Sequence, residues 1–407
     1  LKSYLPYNFH YFSIWVCICF SFHIFFSYKI IYYLTKNINF SIIATSFFLF
    51  TPILFQRLEM HLSLGAHWLI IAYIYLEINT KIKNRFFLKV ILITFSSLIH
   101  FYFTAMLLLM NFIFSIFENF KSKDLKNFLK EIFLLIISLI LTMYSVGYFS
   151  IPVSDSLGFG YGIYKANMLT FFDPTSGLGQ KSWSLFLPDI KNTKGETEGF
   201  GYLGAGIIIL IFILIFYIIK DLKKIIQKHI KYFIVILLLF IVALSSSISF
   251  GGLKIVDFDL PIFLYAPLSI IRASGRFIWP IYYLLIIFSI FAFYKLKIKS
   301  RYLIFILLIQ LIDISPGIHA TQKLHNNQQS KKLLDPLWLD ISREYKIIKT
   351  TKISNTSNIF PKISELLMRY KFQSTNISRL GRYDRSGASV LRSKLYSDLF
   401  NKRINHT

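Results

Sequence analysis

Apolar residues in this chain neither alternate nor recur on a single helical face. They come in long runs, such as FSIIATSFFLFTPILF (40–55) and WLIIAYIYL (68–76), separated by short polar breaks. A segment that is apolar all round has no solvent-facing side, so it belongs in lipid or deep inside a large bundle. With roughly 20 residues to a crossing, candidate spans fall at 9–34, 40–56, 67–79, 86–99, 101–118, 132–150, 202–219, 232–248, 276–294 and 302–316. The pattern predicts an all-α polytopic membrane protein of about ten transmembrane helices over residues 1–316.

Beyond 316 the pattern changes. SPGIHATQKLHNNQQSKK (315–332) has the Pro-Gly and polar character of a linker, assigned to 317–336. YKIIKTTKIS (345–354) and STNISRLGRYD (374–384) read as strands; KISELLMRYKF (362–372) and VLRSKLYSDLFNK (390–402) read as helices. Residues 337–407 are therefore expected to form a small soluble α/β module, incomplete as it stands.

Charge orients the spans. KIKNR (81–85), KSKDLKNFLK (121–130), KDLKKIIQKHIK (220–231) and KLKIKSR (295–301) are dense in lysine and arginine. The positive-inside rule makes all four cytoplasmic, and ten spans place them on one side without adjustment. The stretch 57–66, the turn at His100, the loop 151–201, the loop 249–275 and the C-terminal module then lie outside. This gives a multi-pass protein of the cytoplasmic (inner) membrane with an extracytoplasmic C-terminal module. The net charge of +25 carries less weight, because a composition so rich in Lys, Ile, Asn and Phe partly reflects an AT-rich genome. No nucleic-acid motif is present, and a basic module outside the cell suits anionic lipid or polymer. Cys17 and Cys19 share one apolar run and read as small buried hydrophobes.

Against this background five arginines precede residue 316. Arg85 and Arg301 fall in basic loops, whereas Arg57, Arg272 and Arg276 fall on the opposite side, where orientation bias does not explain them. RLEMHLSLGAHW (57–68) sets Arg57, Glu59, His61 and His67 between two apolar runs; His100 and Tyr102 stand at the same expected depth. In SIIRASGRFIWPIYYLL (269–285), Arg272 and Arg276 are four apart, which on a helix places both on one face. Ser274 and Gly275 between them let a ligand or another backbone come close. Paired guanidiniums make a phosphate or diphosphate clamp. The competing reading is an ion pair that locks helices, with Asp257, Asp259 or Glu59 as partner, or snorkelling to lipid phosphates. Glu59, His61, His67 and His100 are possible metal ligands, but their spacing matches no zinc signature. DFD (257–259) suits an exposed hairpin better than a metal site, so no metal or other cofactor is indicated.

RASGRFIWPIYYL together with HLSLGAHWLIIA (61–72) resembles an uncharacterised bacterial branch of the GT-C superfamily, domain-of-unknown-function family 6311. GT-C enzymes transfer a sugar from a polyprenyl-phosphate donor on the outer face of the membrane. The resemblance implies a glycosyltransferase whose partners are that donor, membrane lipids, and a glycan or lipid acceptor. It implies Glu59 and His61 in proton transfer, and Arg57, His67, His100, Tyr102, Arg272 and Arg276 in substrate binding. The family's acidic base sits in the first outer loop. The chain opens at LKSYLPYNFHYF, which the resemblance puts beyond that loop, so N-terminal truncation is expected. Aromatic residues of the loop 151–201, namely Tyr161, Tyr164, Phe171, Phe172 and Trp183, are candidates to stack on sugar rings or to sit at headgroup level. A transporter or flippase of lipid-linked glycans, and an inactive membrane scaffold, remain as alternatives.

Overall fold

A computed structural model of the chain describes residues 11–122, 124–150, 160–175, 182–327, 337–349, 360–375 and 385–401. It forms two compact units. The first holds the described residues of 1–148 and 159–326; the second holds those of 327–407 with Phe149 and Ser150.

The first unit is a helical bundle. Its helices are α1 (Phe12–Thr35), α2 (Ile38–Leu49), α3 (Pro52–Met60), α4 (Trp68–Ile78), α5 (Arg85–Ile99), α6 (Phe101–Ser122), α7 (Leu125–Ser145), α8 (Ala205–Lys220), α9 (Leu222–Leu244), α10 (Ile262–Ile270), α11 (Ile278–Lys295) and α12 (Ser300–Asn327). The centre is built from α4 and α11. Residues 68–74 of α4 are buried without a break, as are 278–284 of α11. Their all-round apolar sequences leave them no solvent face to present. At the periphery the reverse holds: α7 and α9 expose Phe133, Ile140, Leu141, Leu237 and Ile241. Exposed apolar surface on long helices is what a lipid environment accommodates.

Six described helices are long and apolar enough to cross a membrane: Phe12–Thr35, Phe101–Asn119, Leu125–Ser145, Leu222–Leu244, Ser274–Lys295 and Ser300–Lys323. The α2–α3 pair, bent by 49°, makes a seventh if it counts as one span. The sequence expectation of ten spans is not reached by length, although every apolar run falls on helix. The runs assigned to 67–79, 86–99 and 202–219 form α4, α5 and α8, of 11, 15 and 16 residues, each shorter than the roughly 20 residues of a single crossing.

The break between α2 and α3 has an identifiable cause. Pro52 occupies the first turn of α3 and cannot donate a backbone hydrogen bond. The carbonyls left at the break are met by side chains: His23 of α1 bonds the oxygen of Phe48 at 2.9 Å, and Gln310 of α12 donates to that of Phe50 at 3.5 Å. At the far end of α4, Glu77 receives Lys89 and Lys231 at 2.6 Å each, and Arg85 forks onto Glu118 at 2.8 Å. Paired charges are the form in which a bundle tolerates buried ionic groups.

Helix α12 runs through Pro316 to Asn327, so 317–327, expected as linker, is helical. Proline removes the N–H that would reach the carbonyl of Ile312, and the Ser315 hydroxyl donates to that oxygen instead at 2.8 Å. Between α9 and α10, β1 (Ser247–Phe250) and β2 (Leu253–Asp257) form the antiparallel hairpin that DFD suggested. The second unit contains α13 (Leu337–Glu344), β3 (Ile347–Ile348), α14 (Phe360–Tyr370), β4 (Ser374–Thr375) and α15 (Arg385–Phe400), with β3 and β4 parallel. Helix α13 is not among the expected elements; after it strand, helix, strand and helix follow in the expected order, with strands of two residues each, and residues 350–354 and 376–384 of the expected strands lie outside the described residues.

Candidate functional site

Three segments far apart in sequence meet at the N-terminal ends of α4 and α11. Arg57 stands on the last turn of α3. Glu198 stands on a 3₁₀ turn, Glu196–Gly199, and Arg276 on another, Ser274–Phe277, which leads into α11. One oxygen of Glu198, Oε2, accepts from Arg57 Nη1 at 2.9 Å, Arg276 Nε at 3.0 Å and Arg276 Nη2 at 2.9 Å. Arg57 Nη2 also donates to the Glu198 backbone oxygen at 3.1 Å. The guanidiniums are stacked as well as paired. Arg57 lies over the Trp279 ring at 5.3 Å and Arg276 over the Tyr102 ring at 4.4 Å, with the Tyr102 hydroxyl accepting from Ala273 N–H at 2.7 Å. Aromatic faces favour flat, weakly hydrated cations.

Backbone contact brings the two 3₁₀ turns together. A Cβ placed on Gly275 would lie 2.6 Å from the Gly199 Cα and 2.6 Å from the Lys165 carbonyl carbon. Gly275 N–H donates to the Tyr164 oxygen at 3.0 Å. Of the two partners that sequence leaves open for this small-residue step, a ligand or another backbone, the structure supplies a backbone. The turn carrying Glu198 opens at Gly195, whose φ of 93° suits glycine. It is fixed by Glu196, which receives Lys165 at 3.0 Å, Asn167 at 2.9 Å and Thr193 N–H at 2.8 Å. Burial pushes the Glu196 carboxyl up, and these partners hold it below its ordinary value. For Glu198 too, burial acts to raise the carboxyl. Arg57 and Arg276 outweigh it, with help from nearby His61, and set it at about 2.

A family model described as a domain of unknown function, DUF6311, matches residues 1–315. The chain belongs to that family. No curated protein and no solved structure matches it.

In this DUF6311 protein the candidates chosen from sequence are unevenly placed. Arg57, Tyr102 and Arg276 share the Glu198 cluster directly. His61 caps the end of α3, is exposed, and is close enough to Glu198 to act on its charge. His100 ends α5, and its Nδ1 accepts Tyr102 N–H at 3.3 Å, which puts it one residue behind the cluster. His67 is fully buried, bonded to the Tyr283 hydroxyl at 2.8 Å and packed on Trp279 at 4.4 Å, so it backs the site rather than lining a mouth. Glu59 is on α3, and its side chain lies outside the described residues.

Three expectations are corrected. Arg272 and Arg276 do not share a helix face, because 271–273 are not helical and Arg276 stands in the separate 3₁₀ turn that begins at Ser274. Arg272 is half-buried and makes no hydrogen bond or ion pair among the described residues. The acidic partner of the arginines is Glu198, whereas Asp257 binds Lys254 at 2.6 Å. Trp183 is buried against Phe200, not presented for stacking, while Phe172 is exposed. Sequence reading missed Glu198 altogether. The available signal was GETEG (195–199): acidic residues between glycines in a loop assigned to the same side as three unexplained arginines. It also missed Asp313, fully buried in α12, which accepts Tyr202 OH at 2.5 Å, Ala205 N–H at 2.8 Å, Phe186 N–H at 3.3 Å and the Ser184 hydroxyl. Among the described residues, no three His, Cys, Asp or Glu side chains group as metal ligands. What the cluster can do chemically is hold an anion: two guanidiniums share one carboxylate, and a third stands close by.

Proposed function

We propose that this DUF6311 protein is a membrane glycosyltransferase of GT-C type, which takes sugar from a polyprenyl-phosphate donor and passes it to a cell-surface glycan or lipid acceptor. The reading places the Glu198 cluster on the outer face of the cytoplasmic membrane, the four basic loops inside, and the C-terminal module outside. The observation that carries it is the excess of positive charge at the cluster. Among the described residues Arg57 and Arg276, nearly buried, share a single carboxylate, and Arg272, four residues before Arg276, has no ion pair. Buried guanidiniums without full compensation are costly, so a site that keeps them suits an anionic ligand. Arg57, Arg272 and Arg276 then hold the phosphate, Tyr102 and Trp279 brace them, and His61, with Glu59, handles the acceptor proton.

The transporter or flippase alternative draws on the broken α2–α3 span and on Gln310 and Asp313 deep in α12. Both side chains are engaged by neighbouring backbone and hydroxyl groups, which makes them anchors and leaves the enzyme reading ahead. The enzyme reading is tested by reconstituting the protein in liposomes with a panel of polyprenyl-phosphate sugars and a cell-envelope extract that supplies the acceptor, following release of free polyprenyl phosphate by mass spectrometry. Release is expected, reduced at least tenfold in Arg276→Lys, which keeps charge but loses the two-nitrogen fork. Movement of lipid-linked glycan between leaflets without release of polyprenyl phosphate refutes the reading in favour of the flippase.

A further inference from the structure

The Glu198 contact has an unusual form. A guanidinium fork meeting a carboxylate ordinarily spreads its N–H groups over both oxygens. Here three N–H donors from two arginines converge on Oε2 alone, and Oε1 accepts no hydrogen bond among the described residues. Three donors around one oxygen is how arginines surround a phosphoryl oxygen. The arginine side chains are 7% and 9% exposed and Glu198 is 22% exposed, so the carboxylate covers the guanidiniums from the accessible side. Arg57 Nε, and Nε1 of Trp279 whose ring lies 5.3 Å from that guanidinium, are buried and have no hydrogen-bond partner among the described residues. Unsatisfied donors of this kind are rare in a packed interior and suit a ligand that brings more oxygens than a carboxylate does.

We infer that Glu198 is a stand-in for a phosphate group: its Oε2 marks the position of a phosphoryl oxygen, and the side chain swings away when a phosphate-bearing ligand takes that position. This rests on the proposed reading of the cluster as a phosphate site and adds how the site is occupied before the ligand arrives. Exchange requires only side-chain rotation. The Glu198 backbone is pinned on one side by the Gly199–Gly275 contact and on the other by Arg57 Nη2 on its carbonyl. The carboxylate can therefore leave without moving the turn. The unliganded cluster carries one net positive charge from Arg57, Arg276 and Glu198, so replacing a carboxylate by a phosphate of equal or greater negative charge keeps or improves the balance, and Glu198 returns to water, where ionisation costs nothing. The ligand must outcompete an internal anion, which lowers its apparent affinity by the fraction of molecules in which the site is vacant.

The shared chemistry is a phosphate oxygen, supplied either by a lipid headgroup or by a soluble phosphate. Wild-type protein, Glu198→Gln and Glu198→Asp, each in phosphatidylcholine nanodiscs, are titrated by microscale thermophoresis with undecaprenyl phosphate in the bilayer and, separately, with inorganic pyrophosphate. If Glu198 holds the site in about nine molecules of ten, its neutralisation tightens binding about tenfold. Glu198→Asp, which keeps the charge but withdraws it by one methylene, tightens binding less and in the same direction, and serves if the Gln variant fails to fold. Tightening with undecaprenyl phosphate and not with pyrophosphate is the expected result. Tightening with pyrophosphate alone keeps the exchange and overturns the lipid donor. Wild-type binding of undecaprenyl phosphate that is unchanged or weaker in both variants overturns the exchange and leaves the donor reading standing. No binding of either ligand by any of the three proteins overturns both.

Discussion

Gly275→Ala is a stringent test of how the site is assembled, because the perturbation is one methyl group and its surroundings are all backbone. The new Cβ would lie 2.6 Å from the Gly199 Cα, 2.6 Å from the Lys165 carbonyl carbon and 2.8 Å from the Gly199 nitrogen. None of these atoms ends a flexible side chain, so the two 3₁₀ turns must separate by about 0.5–0.8 Å to reach ordinary contact. The hydrogen bonds from Arg276 to Glu198, now 2.9 and 3.0 Å, would stretch to about the limit at which they count as bonds. Overpacking of a tight core costs about 1–3 kcal/mol, and weakening a nearly buried ion pair adds to it, so destabilisation of about 3 kcal/mol is expected. The assay is thermal unfolding of purified protein in detergent, with Gly252→Ala as control. The Gly252 Cβ would meet the Lys191 side chain at 3.1 Å, at an exposed turn that can yield. A Gly275→Ala protein that melts with the wild type would show that the backbones do not touch as described, and the placement of Glu198 against Arg276 would fall with it.

At the other end of α4, Glu77→Gln should cost about 3–5 kcal/mol, since it leaves nearly buried Lys89 without its carboxylate; Glu77→Met with Lys89→Met should recover most of the loss in the same melt, and a single variant as stable as wild type would refute the pairing. Asp313→Asn keeps the shape but turns two N–H donors toward groups that already donate, at about 1–3 kcal/mol for each bond lost; limited proteolysis should then cut the 182–204 segment faster, and an unchanged digestion pattern would argue against Asp313 as its anchor. Glu198 has a depressed pKa, so its contribution to stability is complete above the ordinary carboxylate value of 4.5 and is lost as pH falls toward about 2. Wild type and Glu198→Gln should therefore differ in melting temperature by the same amount at pH 7 and pH 5.5, and a difference that shrinks across that interval would contradict the pairing.

What sequence conveyed depended on range. Apolar runs located the helices, because lipid-facing and core-facing segments alike differ from polar loops by composition alone. Runs could not say which helices are long enough to cross. The run at 40–56 hides a break, and only the bonds of His23 and Gln310 to its carbonyls show that the bundle is built around it. Charge against the orientation bias singled out Arg57 and Arg276, a local signal. GETEG offered their partner only as acidic residues in a loop: Glu198 lies 141 residues from Arg57 and 78 from Arg276, and no periodicity spans such a distance. The i,i+4 argument for Arg272 and Arg276 failed because it assumed helix where the backbone bends to bring Ala273 N–H onto Tyr102. Pro316 misled in the opposite direction: a proline read as a helix end is compensated by Ser315 one residue earlier.

The bent α2–α3 segment has a consequence for biogenesis. Arg57 leaves the ribosome early, on a nine-residue helix whose angle to α2 is held from α1 by His23 and from α12 by Gln310. Synthesis proceeds from the N-terminus, so the charged last turn of α3 is made before Glu198, Arg276 and finally Gln310. A chain halted before α12 lacks Gln310, so the angle of the arginine-bearing α3 is then held from α1 alone. Quality control of this protein should therefore be most sensitive to truncations that spare every site residue and remove α12.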